Sequence, residues 1–262
     1  MNIIQAAILG VVEGITEFLP ISSTFHLIFT SKLLGIQQND FIKLFEVFIQ
    51  SGAILSVILL YFSDVVKSKE LMKRVFFSFI PTALIGFILY KFIKNILFES
   101  RFLMLGIFAA VAAVFLLVEK LVKYEKIKLK KNIKNLDYKQ AIIIGLVQSL
   151  AIIPGVSRAG AVITGMMILG YKRKDSAYFS FLLSVPTVFA AAFYDLYKMR
   201  SVIVNYSNNF LLLTVGFISA FISSYFIVKW FIDFLQKNTL VVFAYYRLVL
   251  VIIILLIFLL PL

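Results

Sequence analysis

Six uninterrupted apolar runs, near residues 44–62, 75–93, 102–119, 177–197, 209–229 and 240–261, constrain this chain more than any other feature. Each is long enough to cross a hydrocarbon core of about 30 Å at about 1.5 Å per helical residue. The expected fold is an all-α polytopic membrane protein. Composition agrees: of 262 residues 62% are hydrophobic and only 15% charged, and mean hydropathy is +1.01, far from the balance of a water-soluble domain. The absence of cysteine excludes a disulfide framework, a thiolate metal site and a cysteine nucleophile. Lys and Arg number 26 against 13 Asp and Glu. Because most of them lie in short connections between apolar runs, the expected partners are anionic headgroups of the bilayer or a phosphorylated substrate, and no nucleic acid. The first apolar stretch starts at Ile3 without a basic leader and carries Glu13 and Glu17, so it is expected to stay in the mature chain.

Two further apolar segments, about 4–34 and 139–170, are interrupted in the middle. The first reads Glu17-Phe18-Leu19-Pro20-Ile21-Ser22-Ser23 and the second Pro154-Gly155-Val156-Ser157-Arg158. In each, proline ends one leg and a serine stands where a new helix could be N-capped. The legs are too short to span alone, so each segment is either one kinked crossing or a re-entrant hairpin. With both as hairpins, Lys and Arg divide 17 to 7 between the two sides; with both as crossings they divide 14 to 10. The positive-inside rule prefers the hairpins. It also puts both termini outside and the basic loop at about 120–138 in the cytoplasm of a multi-pass plasma-membrane protein.

The broken segments resemble each other at a constant offset of 135: Gln5-Ala6 matches Gln140-Ala141, Gly10 matches Gly145, Val12 matches Val147, Glu13 faces Gln148, and Ser22 matches Ser157. Each is followed by three spans, and three crossings turn the second copy upside down. The expectation is a single integral-membrane domain over 1–262 with six transmembrane helices and two opposed re-entrant hairpins in inverted-topology repeats, about 1–119 and about 139–262.

The breaks hold the residues with chemistry. Glu13 and Glu17 share a helix face, and two ionised carboxylates at membrane depth are tolerable with a divalent cation or a cationic side chain between them; the alternative is that one Glu is an interfacial or protonated structural residue. Oxygen ligands without cysteine favour Mg²⁺ or Ca²⁺. His26, the single histidine, is either a hydrogen-bonded structural residue or, if the fold at Pro20 returns it to the glutamates, a general acid/base or nucleophile. Ser157 and Arg158 after Gly155 offer helix-start amides and a guanidinium, a phosphate site unless Arg158 instead pairs with a buried Glu. Ser22, Ser23 and Thr24 could cap the return helix or approach the phosphate. Glu46 and Gln50 share a helix face near the start of a span and Arg247 lies within the last one; a structural Glu46–Arg247 pair and a functional role are equally open for them.

These residues resemble the undecaprenyl-diphosphate phosphatase family associated with bacitracin resistance. The resemblance covers nearly the whole chain: residues 7–24 as one string, then His26-Leu27, Phe45-Glu46-Val47, Pro154 to Arg158, and Phe179 to Leu183. It implies a membrane hydrolase that removes the terminal phosphate of a polyprenyl diphosphate lipid with Mg²⁺ or Ca²⁺, recycling the carrier for cell-envelope glycans. Carried onto this sequence, it implies a metal at Glu13 and Glu17, catalysis by Glu17, Ser23, His26 and Arg158, and phosphate contacts from Arg158, Ser157, Ser22, Thr24 and Gly155. Phe25 departs from the family's usual glycine, Ala159 from serine, Val162 from threonine and Tyr178 from a frequent glutamate. These departures bear on headgroup contacts and rate, with Thr164 as a partial replacement hydroxyl. A homodimer is left open. The competing reading is a prenyl-phosphate flippase or ion-coupled transporter, since broken helices in inverted repeats suit transporters equally.

Overall fold

The computed structural model describes residues 1–96, 101–200 and 210–259. Among them the chain forms ten α-helices: α1 Ile3–Thr16, α2 Ser23–Leu33, α3 Asp40–Lys67, α4 Lys69–Ile96, α5 Arg101–Lys123, α6 Tyr138–Ser149, α7 Arg158–Ile168, α8 Arg173–Lys198, α9 Phe210–Lys237 and α10 Val241–Leu259. Five helical stretches are long and apolar enough to cross a membrane: Asp40–Lys67, Lys69–Leu89, Phe102–Lys123, Arg173–Lys198 and Phe210–Lys237. The sixth expected run falls on α10, apolar over Val241–Leu256; its residues 260–261 lie outside the described residues. Pro81 and Pro186 sit inside α4 and α8 without ending them, an arrangement that membrane helices tolerate when neighbours satisfy the freed backbone.

Both broken segments form pairs of short helices. At 14 and 11 residues, α1 and α2 are about 21 and 17 Å long, and α6 and α7 are no longer. Gln5 Nε2 donates to the Leu34 carbonyl at 3.0 Å, so α1 starts where α2 finishes. Tyr171 Oη donates to Gln140 Oε1 at 2.5 Å, which closes α6 and α7 the same way. Asn2 and Asp137 cap the first legs by accepting from the Gln5 and Gln140 amides. On the return legs the expected serine caps differ. Ser157 accepts from Gly160 N at 3.2 Å, whereas Ser22 occupies the cap position without a side-chain cap bond. Both residues hold φ of 69°, a left-handed conformation that costs a non-glycine residue free energy and tends to mark functional positions.

The halves exchange partners. α1 packs on α9 and its counterpart α6 on α4, while α3 meets α8 and α5 meets α10. Gly10 and Gly145, matched in sequence, both stand where a side chain would overlap a backbone carbonyl, that of Gly216 and of Ser78. The first break lies inside the largest apolar cluster, where Phe18, Leu19 and Ile21 pack with Phe115, Ile163, Phe181, Phe231 and Phe243.

At the other end of the helices the connections interlock. Lys131 N donates to Gly170 O and Lys172 N to Lys131 O. Arg173 forks onto Glu119, and Glu119 Oε1 also accepts from Leu240 N at 2.8 Å. Lys67, Arg74, Lys131, Lys134, Lys172 and Arg173 thereby gather at one end.

Arg247 of α10 ties the two breaks together. Fully buried, it donates from NH1 to Pro20 O at 3.0 Å, from NH2 to Gly155 O and from Nε to Phe108 O at 3.2 Å. It lies 4.0 Å from the centre of the Phe108 ring. Glu46 instead accepts from Gln38 at 3.2 Å, and no Glu46–Arg247 ion pair exists among the described residues. Arg247→Met approximates the volume and strands the Pro20 and Gly155 carbonyls, each worth about 1–3 kcal/mol when buried and unpaired, whereas Phe108 O keeps its bond within α5. The expected result is a loss of at least about 2 kcal/mol, a drop of roughly 4–8 °C in the unfolding midpoint in detergent. A wild-type midpoint would show that the breaks hold without it.

Candidate active site

The turn after α1 continues the helical path for one more residue, with Glu17 N donating to Glu13 O at 2.9 Å, and this turns the Glu17 side chain toward the start of α7. There its Oε1 lies 3.3 Å from Arg158 NH2. Its Oε2 accepts from Ser23 Oγ at 2.5 Å. Three of the expected site residues, from both breaks, thus meet at one carboxylate. The ion pair is loose: Arg158 is almost wholly buried, yet none of its three nitrogens has a hydrogen bond of good geometry among the described residues. A guanidinium carries five N–H donors, so Arg158 can hold Glu17 by charge and still accept an oxyanion. Its guanidinium also lies 5.8 Å from the centre of the Phe18 ring.

Glu13 is fully buried, and both its carboxylate oxygens lack a hydrogen-bond partner. Its electrostatic neighbours are Glu17, Glu46 and Arg158. Two carboxylates in contact with one another, one of them without a donor at either oxygen, fit a hard divalent cation. Among the described residues no group of three or more His, Cys, Asp or Glu could hold a metal, so a cation would complete its shell from phosphate oxygens and water, as Mg²⁺ commonly does.

A cavity of about 250 Å³ opens beside this pair. Glu17, Ser22, Ser23 and Thr24 line it from the first break, and Gly155, Ser157 and Arg158 from the second. Glu13 is not part of its wall. His26 is turned elsewhere: Nδ1 lies 2.8 Å from Ser22 O and Nε2 2.7 Å from Tyr246 Oη. Because a carbonyl can only accept, the proton belongs on Nδ1 and Tyr246 donates to Nε2. Its charged neighbour is Arg247, so the fold at Pro20 does not return it to the glutamates.

Four neutral residues of the wall, Gln50, Thr82, Gln148 and Thr187, were not expected there. Gln148 had been visible only as the counterpart of Glu13. The two threonines carried no signal, since threonine is unremarkable in an apolar span.

The departures face away from the cavity. Phe25 is buried against Phe108, ring centres 4.5 Å apart. Ala159 and Val162 sit in apolar clusters, and Thr164 is buried outside the cavity wall with its hydroxyl unpartnered. Tyr178 donates to Asp64 at 3.0 Å near the basic end.

The profile of the family described as bacitracin resistance protein BacA matches residues 6–253. An undecaprenyl-diphosphatase of Aquifex aeolicus (strain VF5) is 44% identical over 243 residues, 93% of each chain. Another, from Sulfurihydrogenibium sp. (strain YO3AOP1), is 45% identical over 95% of this chain and 97% of its own. One from Sulfurimonas denitrificans is 44% identical over 98% of this chain and all of its own length. With the broken helices, the Glu17–Arg158 contact and this coverage all in agreement, the chain belongs to the bacitracin resistance protein BacA family.

Proposed function

We propose that this integral membrane protein hydrolyses undecaprenyl diphosphate to undecaprenyl phosphate and inorganic phosphate. The observation that carries the reading is Arg158, an almost wholly buried guanidinium with uncommitted donors, held against Glu17 beside a cavity at the breaks. A cation inside an apolar fold is retained where it meets an anion or backbone carbonyls, and Arg158 has no carbonyl partner among the described residues. The names of the relatives supply the lipid, and the apolar helix faces suit a prenyl tail that never leaves the bilayer.

In the proposed mechanism Arg158 clamps phosphate oxygens, helped by the amides that open α7. Ser23 and Glu17 form a nucleophile–base pair at 2.5 Å, so Glu17 takes a proton from Ser23 or from a water in its place. The hydrogen bonds of His26 to Ser22 and Tyr246 favour this pair over His26 as the group that moves the proton. When bound, Mg²⁺ or Ca²⁺ held by Glu13 and Glu17 would neutralise the diphosphate and stabilise charge on the leaving phosphate. Ser22, Ser157, Thr24 and Gly155 shape the wall around the headgroup.

The same reading treats α1–α2 and α6–α7 as re-entrant hairpins entering from opposite faces, in inverted repeats. Its support is the return of each pair to its own starting end, the shared φ at Ser22 and Ser157, and the exchanged packing of the two halves. The basic end is cytoplasmic on the positive-inside rule, and the termini are outside.

Glu17→Gln and Arg158→Ala should each lower phosphate release by at least about two orders of magnitude, as loss of one preorganised charged group does. The exposed loop variant Lys128→Ala should match wild type. Near-normal Glu17→Gln would remove the carboxylate from the mechanism.

Detergent-solubilised protein, with no gradient, should release phosphate from a polyprenyl diphosphate, lose this on chelation and regain it with Mg²⁺ or Ca²⁺. Lipid movement across vesicles without phosphate release would favour a flippase.

Sidedness is tested by single cysteines in this cysteine-free chain. Asn2→Cys and Gln37→Cys should react with an impermeant reagent from outside, Lys130→Cys only after permeabilisation. Opposite sides for 2 and 37 would make the first pair a crossing.

A further inference from the structure

Gln148 is held in a way that leaves one orientation open to it. It lines the cavity and is 1% exposed. Its Nε2 donates to Thr82 Oγ1 at 2.9 Å and to Thr187 Oγ1 at 3.1 Å. Each threonine hydroxyl has a single proton. Thr82 gives its proton to Gly145 O at 2.9 Å, and Thr187 gives its own to Leu183 O at 2.7 Å. Both can therefore only accept from Gln148. The edge facing them must be the NH₂, both of whose hydrogens are used, and the carbonyl edge is fixed on the other side. That Oε1 has no partner.

A buried acceptor without a donor costs about 1–3 kcal/mol, and two hydroxyls, two backbone carbonyls and two helices besides its own are engaged to keep this one from turning. The ionised oxygens of a diphosphate cannot satisfy it, because they too are acceptors. The group that can enter this cavity as a donor, in a reaction that consumes one, is water. The matching position of the other half, Glu13, likewise presents buried oxygens with no hydrogen-bond partner. The two related positions thus both hold buried oxygens without a donor and differ in charge.

We propose that Gln148 is a positioning residue for hydrolysis, its Oε1 accepting a hydrogen bond from the attacking water. This rests on the hydrolase reading above. In that step the water oxygen bonds to the terminal phosphorus. The bridging P–O bond breaks, and its electron pair leaves with the prenyl monophosphate. The proton that Gln148 does not hold passes to the Glu17 carboxylate. An amide is too weak a base to take a proton, so Gln148 acts through orientation alone. Should Ser23 attack first, the same water resolves the phosphoserine.

The test uses the full chain in detergent with Mg²⁺ and a short-chain polyprenyl diphosphate. Gln148→Met, which fills the space without donor or acceptor, should lower kcat at least about tenfold with KM within about threefold, the pattern of an interaction made in the transition state. In aqueous methanol it should also shift the ratio of methyl phosphate to inorganic phosphate, because the group that selects water as nucleophile is gone. Should Gln148→Met fail to fold, the double variant Thr82→Val/Thr187→Val decides. It frees the amide to turn and should lose at least about fivefold more kcat than Thr82→Ser/Thr187→Ser, which keeps both acceptor oxygens. Unchanged kcat in Gln148→Met would overturn the proposal, as would a loss carried by KM alone with the wild-type methanol ratio. No turnover by the unmodified chain would overturn the hydrolase reading itself, and this proposal with it.

Discussion

The fold depends on a buried arginine that has no carboxylate within ion-pair distance among the described residues. Breaking a helix inside a membrane frees carbonyls where water cannot reach them, and this chain breaks two. Arg247 supplies the donors: Pro20 O from the first break, Gly155 O from the second and Phe108 O from α5 are bound by one rigid fork. Desolvating the cation costs several kcal/mol, and three charge-assisted bonds at about 1.5–3 kcal/mol each offset it. Because one planar group spans both breaks, their separation is fixed. The contact between Glu17 and Arg158 inherits its geometry from that spacing.

On this frame the two halves are alike in backbone and opposite in charge. Ser22 and Ser157 share a φ of 69°, and the residue after each differs, Ser23 in one half and Arg158 in the other. Glu13 faces Gln148 in register, and Glu17 faces Ile152. One break carries the carboxylates and the other the guanidinium. Two identical segments would give two identical half-sites; the differences at these positions place a guanidinium on one side of a single site and carboxylates on the other.

The helices and both breaks were legible in the sequence because hydrophobic length and proline placement are local signals. The meeting of the two breaks was legible from their shared pattern, but the contact of Arg158 with Glu17 was readable only as an alternative to a phosphate site, a pair with an unspecified buried Glu. Arg247 was harder to read. A lone arginine in an apolar run invites a search for a carboxylate, and Glu46 was at hand, but its real partners are carbonyls, which every residue has. His26 pairs with a tyrosine 220 positions away, and Ser22 lies at a cap position without capping. Threonines 82 and 187 became meaningful only once Gln148 was seen between them. Each of these depends on tertiary contacts that no local pattern carries.

Phe25 shows how a departure from the family's pattern can act without touching the cavity. Its ring stacks on Phe108, and Phe108 is the ring beneath Arg247. The next residue, His26, bonds to Tyr246, the neighbour of Arg247 in α10. Two consecutive residues of α2 thus dock on two consecutive residues of α10, one directly and one through Phe108. To carry His26 toward the carboxylates, α2 would have to rotate. That motion would break the bond to Tyr246 and pull Phe25 off the platform under the arginine that sets the spacing of the breaks. A glycine at position 25 would have no ring to displace. The phenylalanine therefore packs against the clamp from its apolar side, outside the lining of the cavity.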